Sequence, residues 1–340
     1  MRKAVFAIIA LMMTSLAIAG EGSKRPVWFF GNPDSTYLED LKNTLGLKAF
    51  CSNKYSSFDI GARDYDKTIS YKANSNNAIG LGFIYSFLDV NFGYSQNRRA
   101  DGKKGDSKKI DFQTQMYLPT TTWRIFINKY KGFYLNKPDR WIEDWNPDEY
   151  YTRDDIEATS IRATSNYFFN HKRYSNKILF AHQALQKKTA GSFLAGLAFC
   201  YNGVRGDSSF IPHNINDTLN FNLDVNSTDY FSLGINGGYA INVVIHQSWF
   251  ISGLVATGIS YARNKQGTSE GETTDNAMNL YLETEFGFGY NCKNFYAGLH
   301  RKQYNSMSPI GHEHNNLELR NGKTYIMFVY RIPVKSFSIF

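Results

Sequence analysis

Long hydrophobic runs are missing from this sequence beyond its first residues. The chain has 340 residues, of which 42% are hydrophobic, and its mean hydropathy is −0.41. A spanning helix needs roughly 20 consecutive apolar residues, and no stretch after Met13 approaches this length. The sequence therefore excludes membrane helices in the main part of the chain. It leaves room for a membrane β-barrel, in which apolar residues alternate with polar ones.

Cysteine is scarce and does not form a recognisable pattern. The three residues Cys51, Cys200 and Cys292 are odd in number, and their spacing matches no metal site. Cys51 and Cys200 fall in strand-like segments on opposite faces, so we expect all three to fill space. One disulfide stays open as an alternative if the compartment is oxidising.

Signatures of catalysis, cofactors and metals are also lacking. No Gly-x-Ser-x-Gly elbow and no phosphate-binding glycine loop is present. His182 and Ser192 are near each other in sequence but show no hydrolase pattern, and His312 and His314 have no identifiable third metal ligand. We therefore expect no catalytic residues, no metal and no cofactor, and place an outer-membrane lipid hydrolase third among the functional hypotheses.

The N-terminus has the pattern of an export signal. Arg2 and Lys3 precede the apolar run Ala4–Met13, and Ala17–Ala19 fits a small-residue cleavage site. We predict a signal peptide over residues 1–19 and a periplasmic N-terminal segment over residues 20–43. The formal charge of +8 is spread along the chain. Because an exported chain rarely meets nucleic acid, anionic lipid headgroups are the expected partners of this charge.

The segment Phe231–Val243 alternates strictly between large apolar residues and small or polar ones. Phe231, Leu233 and Ile235 begin one face, whereas the opposite face is rich in Gly and Asn. The run exceeds the usual five or six residues of a soluble strand and suits the 9–11 residues of a strand that crosses a bilayer. The sequence therefore predicts an all-β, antiparallel transmembrane β-barrel, here assigned to residues 44–332 and followed by a tail over residues 333–340.

About fourteen strands can be counted from this alternation. Long loops and short turns assign one end of the barrel to the outside, as in bacterial barrels with an even strand number. The long loop Leu135–Asp154 falls on the wrong side of this count, so one assignment between Trp123 and Thr189 conflicts with the others, and twelve strands is the alternative. The segment Tyr174–Gln186 is ambiguous, because its apolar residues also fit helical spacing.

The alternation assigns side chains to the two faces of the wall. Charges that face lipid cost roughly 2–4 kcal/mol at the midplane, so polar residues should face the lumen. They would either close a narrow barrel with ion pairs or line a pore that selects solutes. The predicted lumen-facing polar residues are Lys48, Asp89, Asp111, Gln113, Arg124, Asn128, Asn236, Asn242, Glu283 and Glu285. The predicted lipid-facing residues are Ile235, Tyr239, Ile251, Val255, Leu282 and Phe286.

The loop that contains Trp141 and Trp145 is a further candidate binding surface. Its aromatic residues alternate with carboxylates and could stack on a sugar or bind a cationic group. The alternative is an interfacial loop whose aromatic rings lie at the level of the lipid headgroups.

Several short motifs, in order along the chain, resemble an uncharacterised family of exported barrels of Gram-negative bacteria, domain of unknown function 4421. They are Leu45–Lys48 with Ser52–Tyr55, Ile79–Phe83, Tyr130–Tyr134, Phe168–Arg173, Lys187–Phe193 and Gly206–Ser209. The family's usual ending is an aromatic strand near Arg331, which the segment Pro333–Phe340 extends. The resemblance implies an outer-membrane barrel and implies no activity.

The functional expectation is a porin-like outer-membrane barrel, not an enzyme, that transports small solutes or lipophilic compounds. The alternative is a structural or interaction barrel with a closed lumen and loops that bind partners. Inward aromatic residues such as Phe50, Phe126 and Tyr281 favour a constricted lumen. Expected partners are outer-membrane lipids, the barrel assembly machinery and a small-molecule solute, and no nucleic acid.

Overall fold

The protein is described here from a computed structural model. The structure describes residues 33–41, 44–62, 68–75, 77–85, 88–95, 102–180, 184–212, 224–246, 248–311 and 315–334. The expected signal peptide, the first part of the expected periplasmic segment and residues 335–340 of the expected tail lie outside these ranges. No helix in the described ranges has the length and hydropathy needed to cross a bilayer.

Strands make up most of the described chain. They are β1 (Leu38–Asp40), β2 (Thr44–Ala62), β3 (Thr68–Lys72), β4 (Asn77–Tyr85), β5 (Leu88–Ser95), β6 (Lys108–Tyr117), β7 (Thr121–Leu135), β8 (Thr152–Phe168), β9 (Ala184–Gln186), β10 (Ala190–Arg205), β11 (Ser227–Ile245), β12 (Trp249–Thr268), β13 (Gly271–Asn291), β14 (Phe295–Ile310) and β15 (Asn315–Pro333). The helical elements are the 3₁₀ turns Gly102–Lys104 and Pro138–Arg140 and one short helix, α1 (Lys177–Phe180).

Ten antiparallel strands form a closed ring in the described part of the chain. The ring runs β2, β15, β14, β13, β12, β11, β10, β8, β7, β3 and back to β2. It closes through the long ladder of β15 with β2, from Asn315 opposite Ala62 to Pro333 opposite Thr44. The predicted all-β antiparallel barrel is confirmed. The predicted count of fourteen strands, or twelve, is wrong for the ring, because three wall strands lie outside it and one predicted strand does not exist.

The segment Tyr174–Gln186 is not the barrel strand that alternation predicted. It contains the helix α1 and the short strand β9, which pairs with β1 so that Leu38 faces Gln186 and Asp40 faces Ala184. Without this extra crossing, the loop of residues 136–151 lies at the same end as residues 206–212 and 224–226. The conflict in the predicted strand count arises in this segment, because its apolar residues have helical spacing and do not form a strand of the barrel wall.

The two ends of the barrel differ in their connections. At the turn end, residues 118–120, 246, 248 and 292–294 lie between neighbouring strands. At the loop end lie residues 136–151, 206–212, 224–226 and 311. Residues 33–41, 169–180 and 184–189 also lie at the turn end, since β1 and β9 pair there and Lys293 of a short turn contacts Glu39 of β1.

The wall between β2 and β7 is incomplete toward the turn end. β3 bridges the two strands through only two residue pairs with β7, Tyr71 with Leu135 and Lys72 with Tyr134. Below β3, the β4–β5 hairpin extends the sheet from β2, and β6 extends it from β7. In the described ranges β5 pairs only with β4 and β6 only with β7. We call the space between these two strand edges the slit.

The outer surface of the barrel carries an apolar belt. The six residues predicted to face outward are all exposed, from 37% for Ile251 to 61% for Ile235, so their predicted orientation is confirmed. The alternate residues on the same strands are buried inside, as Leu254 and Ala256 on β12 illustrate. Strict alternation produces this division because successive side chains of a strand point to opposite faces.

A glycine in one of the family-like motifs is required by the backbone. Gly132 has a φ of 90°, in the left-handed region that disfavours other residues. The pairing of β7 with β8 shifts register between Lys131 and Phe133, which marks a bulge at this point. Ser107 donates a hydrogen bond of 2.6 Å to the Gly132 carbonyl, and a Cβ here would lie 2.4 Å from the Asp106 carbonyl oxygen.

Candidate functional site

An ion-pair cluster crosses the middle of the lumen. Arg124 on β7 reaches Glu283 on β13, with Nη1 2.5 Å from Oε1, and the same Nη1 contacts Glu285. Lys302 on β14 lies 3.5 Å from the other oxygen of Glu285. Because β7 and β13 are not neighbours in the sheet, the cluster connects opposite walls. Buried charges need such partners, since an isolated ion in a low-dielectric interior is very costly.

Aromatic rings hold a second arginine beside this cluster. The guanidinium carbon of Arg162 lies 3.6 Å from the ring centroid of Tyr304 and 4.6 Å from that of Phe126. Tyr281 packs next to Tyr304, with their centroids 5.7 Å apart. The cavity left at this level has a volume of about 40 Å³, enough for a water molecule and little more.

The described residues of the segment 170–189, which are 170–180 and 184–189, fill the lumen at the turn end. Ile178 and Ala184 pack against inward-facing residues of the wall, including Phe250 and Tyr296. Asparagine amides fix the segment: Asn176 donates to the Thr122 hydroxyl at 2.6 Å. In the same way Asn242 donates to the Ser175 carbonyl at 2.9 Å and Asn291 to the Ala184 carbonyl at 3.1 Å. We call this segment the plug.

A large apolar cluster fills the lumen at the loop end. It joins inward-facing wall residues to residues of the two long loops, and its members include Phe58, Ile60, Ile69, Tyr71, Tyr130, Phe133, Leu135, Trp141, Ile142, Phe210, Ile211 and Tyr230. The Tyr71 hydroxyl donates to the Phe210 carbonyl at 2.8 Å. Together with the ion-pair cluster and the plug, it closes the barrel at three levels.

The family-like motif Gly206–Ser209 is fixed to the wall at the loop end. Arg153 donates to the carbonyl oxygens of Ser208 and Ser209 and forms a two-point ion pair with Asp155. Asp155 in turn accepts from the backbone N–H of Asp207 at 2.9 Å. The motif therefore anchors the loop that carries Phe210 into the lumen.

All ten polar residues predicted to face the lumen lie on the inner side. Lys48, Arg124, Asn236, Asn242, Glu283 and Glu285 are buried, and Asp89, Asp111, Gln113 and Asn128 are half-buried. They do not form one site. Arg124 and the two glutamates meet at the centre, and Lys48 pairs with Asp89 at 2.7 Å. Asn236 bonds Asn166 at 2.9 Å, and Asn242 contacts the plug.

The two tryptophans predicted as loop binding candidates are packing residues in this structure. Trp141 is buried in the apolar cluster at the loop end. Trp145 packs against the same cluster, donates to the Glu149 carbonyl at 3.0 Å and stacks edge-on with Tyr151. Trp141 therefore has no open face for stacking on a ligand, whereas Trp145 is half-buried.

Lysines of the inner face were missed by the sequence reasoning. Lys302 on β14, Lys323 on β15 and Lys54 on β2 lie in a row, because Lys302 is opposite Lys323 and Lys323 is opposite Lys54 in the ladders. Lys54 lies six residues after the predicted Lys48 and so shares its face by simple alternation. The missing signal was the pairing of β15 with β2, which brings together strands from opposite ends of the sequence.

The three cysteines are not joined by a disulfide. Cys51, Cys200 and Cys292 carry free thiols, with Cys51 exposed outside and Cys200 buried inside, as predicted for opposite faces. Within the described residues, no group of His, Cys, Asp or Glu could hold a metal ion. The residues His182, His312 and His314, considered above, lie outside the described ranges.

The geometry defines a class: a closed antiparallel barrel with an apolar outer belt, the architecture typical of bacterial outer-membrane proteins. The chain belongs to the family described as domain of unknown function (DUF4421), which matches residues 32–331. The resemblance seen in the sequence motifs is thereby confirmed. No curated protein matches the chain significantly.

Solved structures similar to this chain include several outer-membrane proteins. The outer membrane protease OmpT from Escherichia coli has 7% identity and a TM-score of 0.38, and the match covers 86% of this chain and 98% of OmpT. The outer membrane protein OprG from Pseudomonas aeruginosa has 10% identity and a TM-score of 0.24, covering 86% and 98%. The Pseudomonas putida toluene transporter TodX has 7% identity and a TM-score of 0.24, covering 84% and 89%. These values carry no argument about the activity of this chain.

Proposed function

We propose that this protein is an integral outer-membrane β-barrel of a Gram-negative bacterium, with its turn end in the periplasm and its loop end outside. The apolar belt and the sequence of the N-terminus support this location. Membrane fractionation tests it: we expect the protein to resist carbonate extraction and to change its gel mobility on boiling. A carbonate-soluble protein with unchanged mobility would contradict the proposal.

Within this location, we propose transport of lipophilic compounds that enter from the bilayer side, without an enzymatic step. The filling of the lumen at three levels is the observation that carries this choice, because it leaves no axial route for a hydrated solute. Of the two transport substrates considered from the sequence, lipophilic compounds are therefore favoured over small hydrophilic solutes. The slit offers such compounds a side entrance.

Conductance in planar bilayers tests the closed axis. We expect correctly folded protein to give silent membranes, and Glu283→Gln/Glu285→Gln to stay silent, because neither glutamate lines an open pore. A steady conductance that changes in this double variant would contradict the proposal and favour a solute channel.

A structural or interaction barrel is the second candidate, favoured by the packing of the two long loops into a cap over the lumen. Transfer of a fluorescent hydrophobic probe between vesicles separates the two candidates. A transporter accelerates transfer when the protein is present in the vesicle membrane, whereas a structural barrel leaves the rate unchanged.

A further inference from the structure

Within the described residues, the slit leaves one edge of β5 and one edge of β6 without a neighbouring strand. β5 and β6 both keep the alternation of wall strands: Phe92 and Ile110 point outward, whereas Asp89 and Asp111 point inward. Unpaired backbone N–H and C=O groups cost several kcal/mol each in hydrocarbon. Such edges persist in a bilayer only beside polar groups or a bound molecule. The slit is therefore a place where something other than plain lipid hydrocarbon is expected.

An apolar groove on the outer surface leads to the slit. Its volume is about 690 Å³, within the range of roughly 300–1,000 Å³ that is typical of small-molecule sites. The groove is lined by Ala49, Phe50, Cys51, Ile79, Gly80, Leu81, Phe92, Gly93, Tyr94, Ile326 and Phe328. It ends at the free edge of β5, where Phe92 and Tyr94 are 69% and 74% exposed. No residue of this lining carries a charge.

Two ion pairs tie the edges of the slit to the same strand. Lys48 of β2 contacts Asp89 of β5 at 2.7 Å, and Lys54 of β2 contacts Asp111 of β6 at 2.6 Å. Both pairs connect strands that are not neighbours in the sheet. The two lysines of β2 therefore hold β5 and β6 from the inner side of the slit.

Lys323 adds an amine that has no ion pair among the described residues. It lies between Lys302 and Lys54 in adjacent ladders, and like charges placed opposite each other destabilise a sheet. Lys302 has Glu285 and Lys54 has Asp111 as partners, whereas Lys323 has no ion pair with any described carboxylate. Two aromatic rings lie near its amine: Lys323 Nζ is 4.8 Å from the ring centroid of Tyr325 and 5.7 Å from that of Phe50.

Phe50 connects the lysine row to the groove. The ring faces Lys323 on the inner side and also lines the groove beside Gly80 and Gly93. A Cβ at Gly80 would lie 2.3 Å from Phe50 Cζ, so the glycine makes room for this ring within the wall. Lys323 and the edge of β6, through Asp111 and Gln113, also line the central cavity. The apolar groove, the slit and Lys323 are therefore contiguous.

We propose that this slit binds an amphiphile with an acyl tail and a carboxylate headgroup, the tail in the groove and the carboxylate at Lys323. A carboxylate suits the site because the cavity of about 40 Å³ behind the slit admits a small headgroup and no large one. The proposal deepens the transport of lipophilic compounds proposed above and rests on the outer-membrane location.

Titration calorimetry of hexadecanoate binding to the full-length protein in nonionic detergent tests this site. We expect hexadecanoate to bind at least tenfold more tightly than hexadecanol, which has the same tail and no charge. Lys323→Gln should weaken hexadecanoate binding roughly tenfold, the effect of losing one charged hydrogen bond, and leave hexadecanol unchanged. Lys265→Gln removes an exposed lysine of β12, on the far side of the ring from the slit, and should change neither.

The groove is tested by filling it. Ala49→Trp should weaken the binding of both ligands, whereas Ala195→Trp, at an outward alanine on β10, should weaken the binding of neither.

Lys323→Gln relieves repulsion with two lysines, so we expect it to fold at least as well as wild type, as the mobility shift on heating reports. Equal affinity for the acid and the alcohol in wild type would overturn the proposal, as would a dimer or a partner strand seated in the slit. Carbonate extraction is independent of these measurements. A protein that resists extraction but does not bind hexadecanoate would contradict the amphiphile site and leave the proposed location standing.

Discussion

Arg124 on β7 and Glu283 on β13 meet across the lumen, with Nη1 2.5 Å from Oε1. Their strands lie on opposite sides of the barrel, five ring positions apart in either direction. Their contact divides the interior into a plug below and an apolar cluster above. A buried pair of this kind contributes less to net stability than its geometry suggests, because both charges lose hydration. Breaking it is costly, however, because the remaining partner stays buried.

Loss of the central cation should therefore destabilise the barrel strongly. Arg124→Met leaves Glu283 and Glu285 buried without their main partner, and we expect a loss of about 3–5 kcal/mol, measured from the urea dependence of the gel mobility shift. Arg205→Met is the control, because Arg205 is exposed where it pairs with Asp229 and should cost at most about 1 kcal/mol. Equal losses in both variants would contradict a central role for Arg124.

A charge on the outer belt should impair assembly. Ile235→Arg places a cation where the side chain is 61% exposed on the outer face, and we expect a cost of roughly 2–4 kcal/mol near the midplane. The yield of heat-modifiable protein in the membrane reports this cost. Ile235→Phe is the control and should assemble normally.

An arginine at the neighbouring inward position is not a mild change, contrary to what the polar face alone suggests. Asn236 is buried in the filled lumen and bonded to Asn166. Asn236→Arg should therefore also destabilise the barrel, by overpacking that costs about 1–3 kcal/mol. Normal stability of this variant would mean that the lumen has room at this level.

Detachment of the plug should follow the loss of its asparagine anchor. Asn176→Leu removes the buried hydrogen bond to the Thr122 hydroxyl, at a cost of about 1–3 kcal/mol for the groups left unsatisfied. We expect faster protease cleavage within residues 174–186. Lys172→Ala, at an exposed position of the same segment, should leave the rate of cleavage unchanged.

Acid should loosen the strand β1 at the turn end. Lys293 and Lys187 lie 3.1 Å and 3.2 Å from Glu39, and Lys293 in particular holds the pKa of this carboxyl below its ordinary value of 4.5. A carboxyl with a lowered pKa stabilises the folded state above the ordinary pKa, and this contribution is lost as the pH falls through the lowered value.

Hydrogen exchange of residues 33–41, corrected for intrinsic rates, measures this effect. Protection relative to β12 should fall between neutral pH and about pH 3. Glu39→Gln should reproduce the loss at neutral pH, by at most about 1 kcal/mol because the pair is partly exposed. Unchanged relative protection in both experiments would contradict the role of Glu39.

The sequence by itself determined the faces of the wall. Ile235 and Asn236 point in opposite directions because the period of a strand is two residues, and this holds wherever the strand pairs. The same alternation assigned Lys48, Arg124 and Glu283 to the interior. It failed at residues 174–186, where helical and strand spacing coincide over a short apolar run, and at β3 to β6, where alternation continues although the ring does not include every strand.

Only the tertiary structure decided what the interior contains. Arg124 meets Glu283 over 159 positions of sequence, and Lys54 faces Lys323 because the last strand pairs with the second. Alternation states that these side chains point inward but contains no information on which of them share a level. That depends on strand order and register, which set how far each residue lies along the barrel axis. The filled lumen, the slit and the position of Lys323 between two other lysines all follow from that long-range registration.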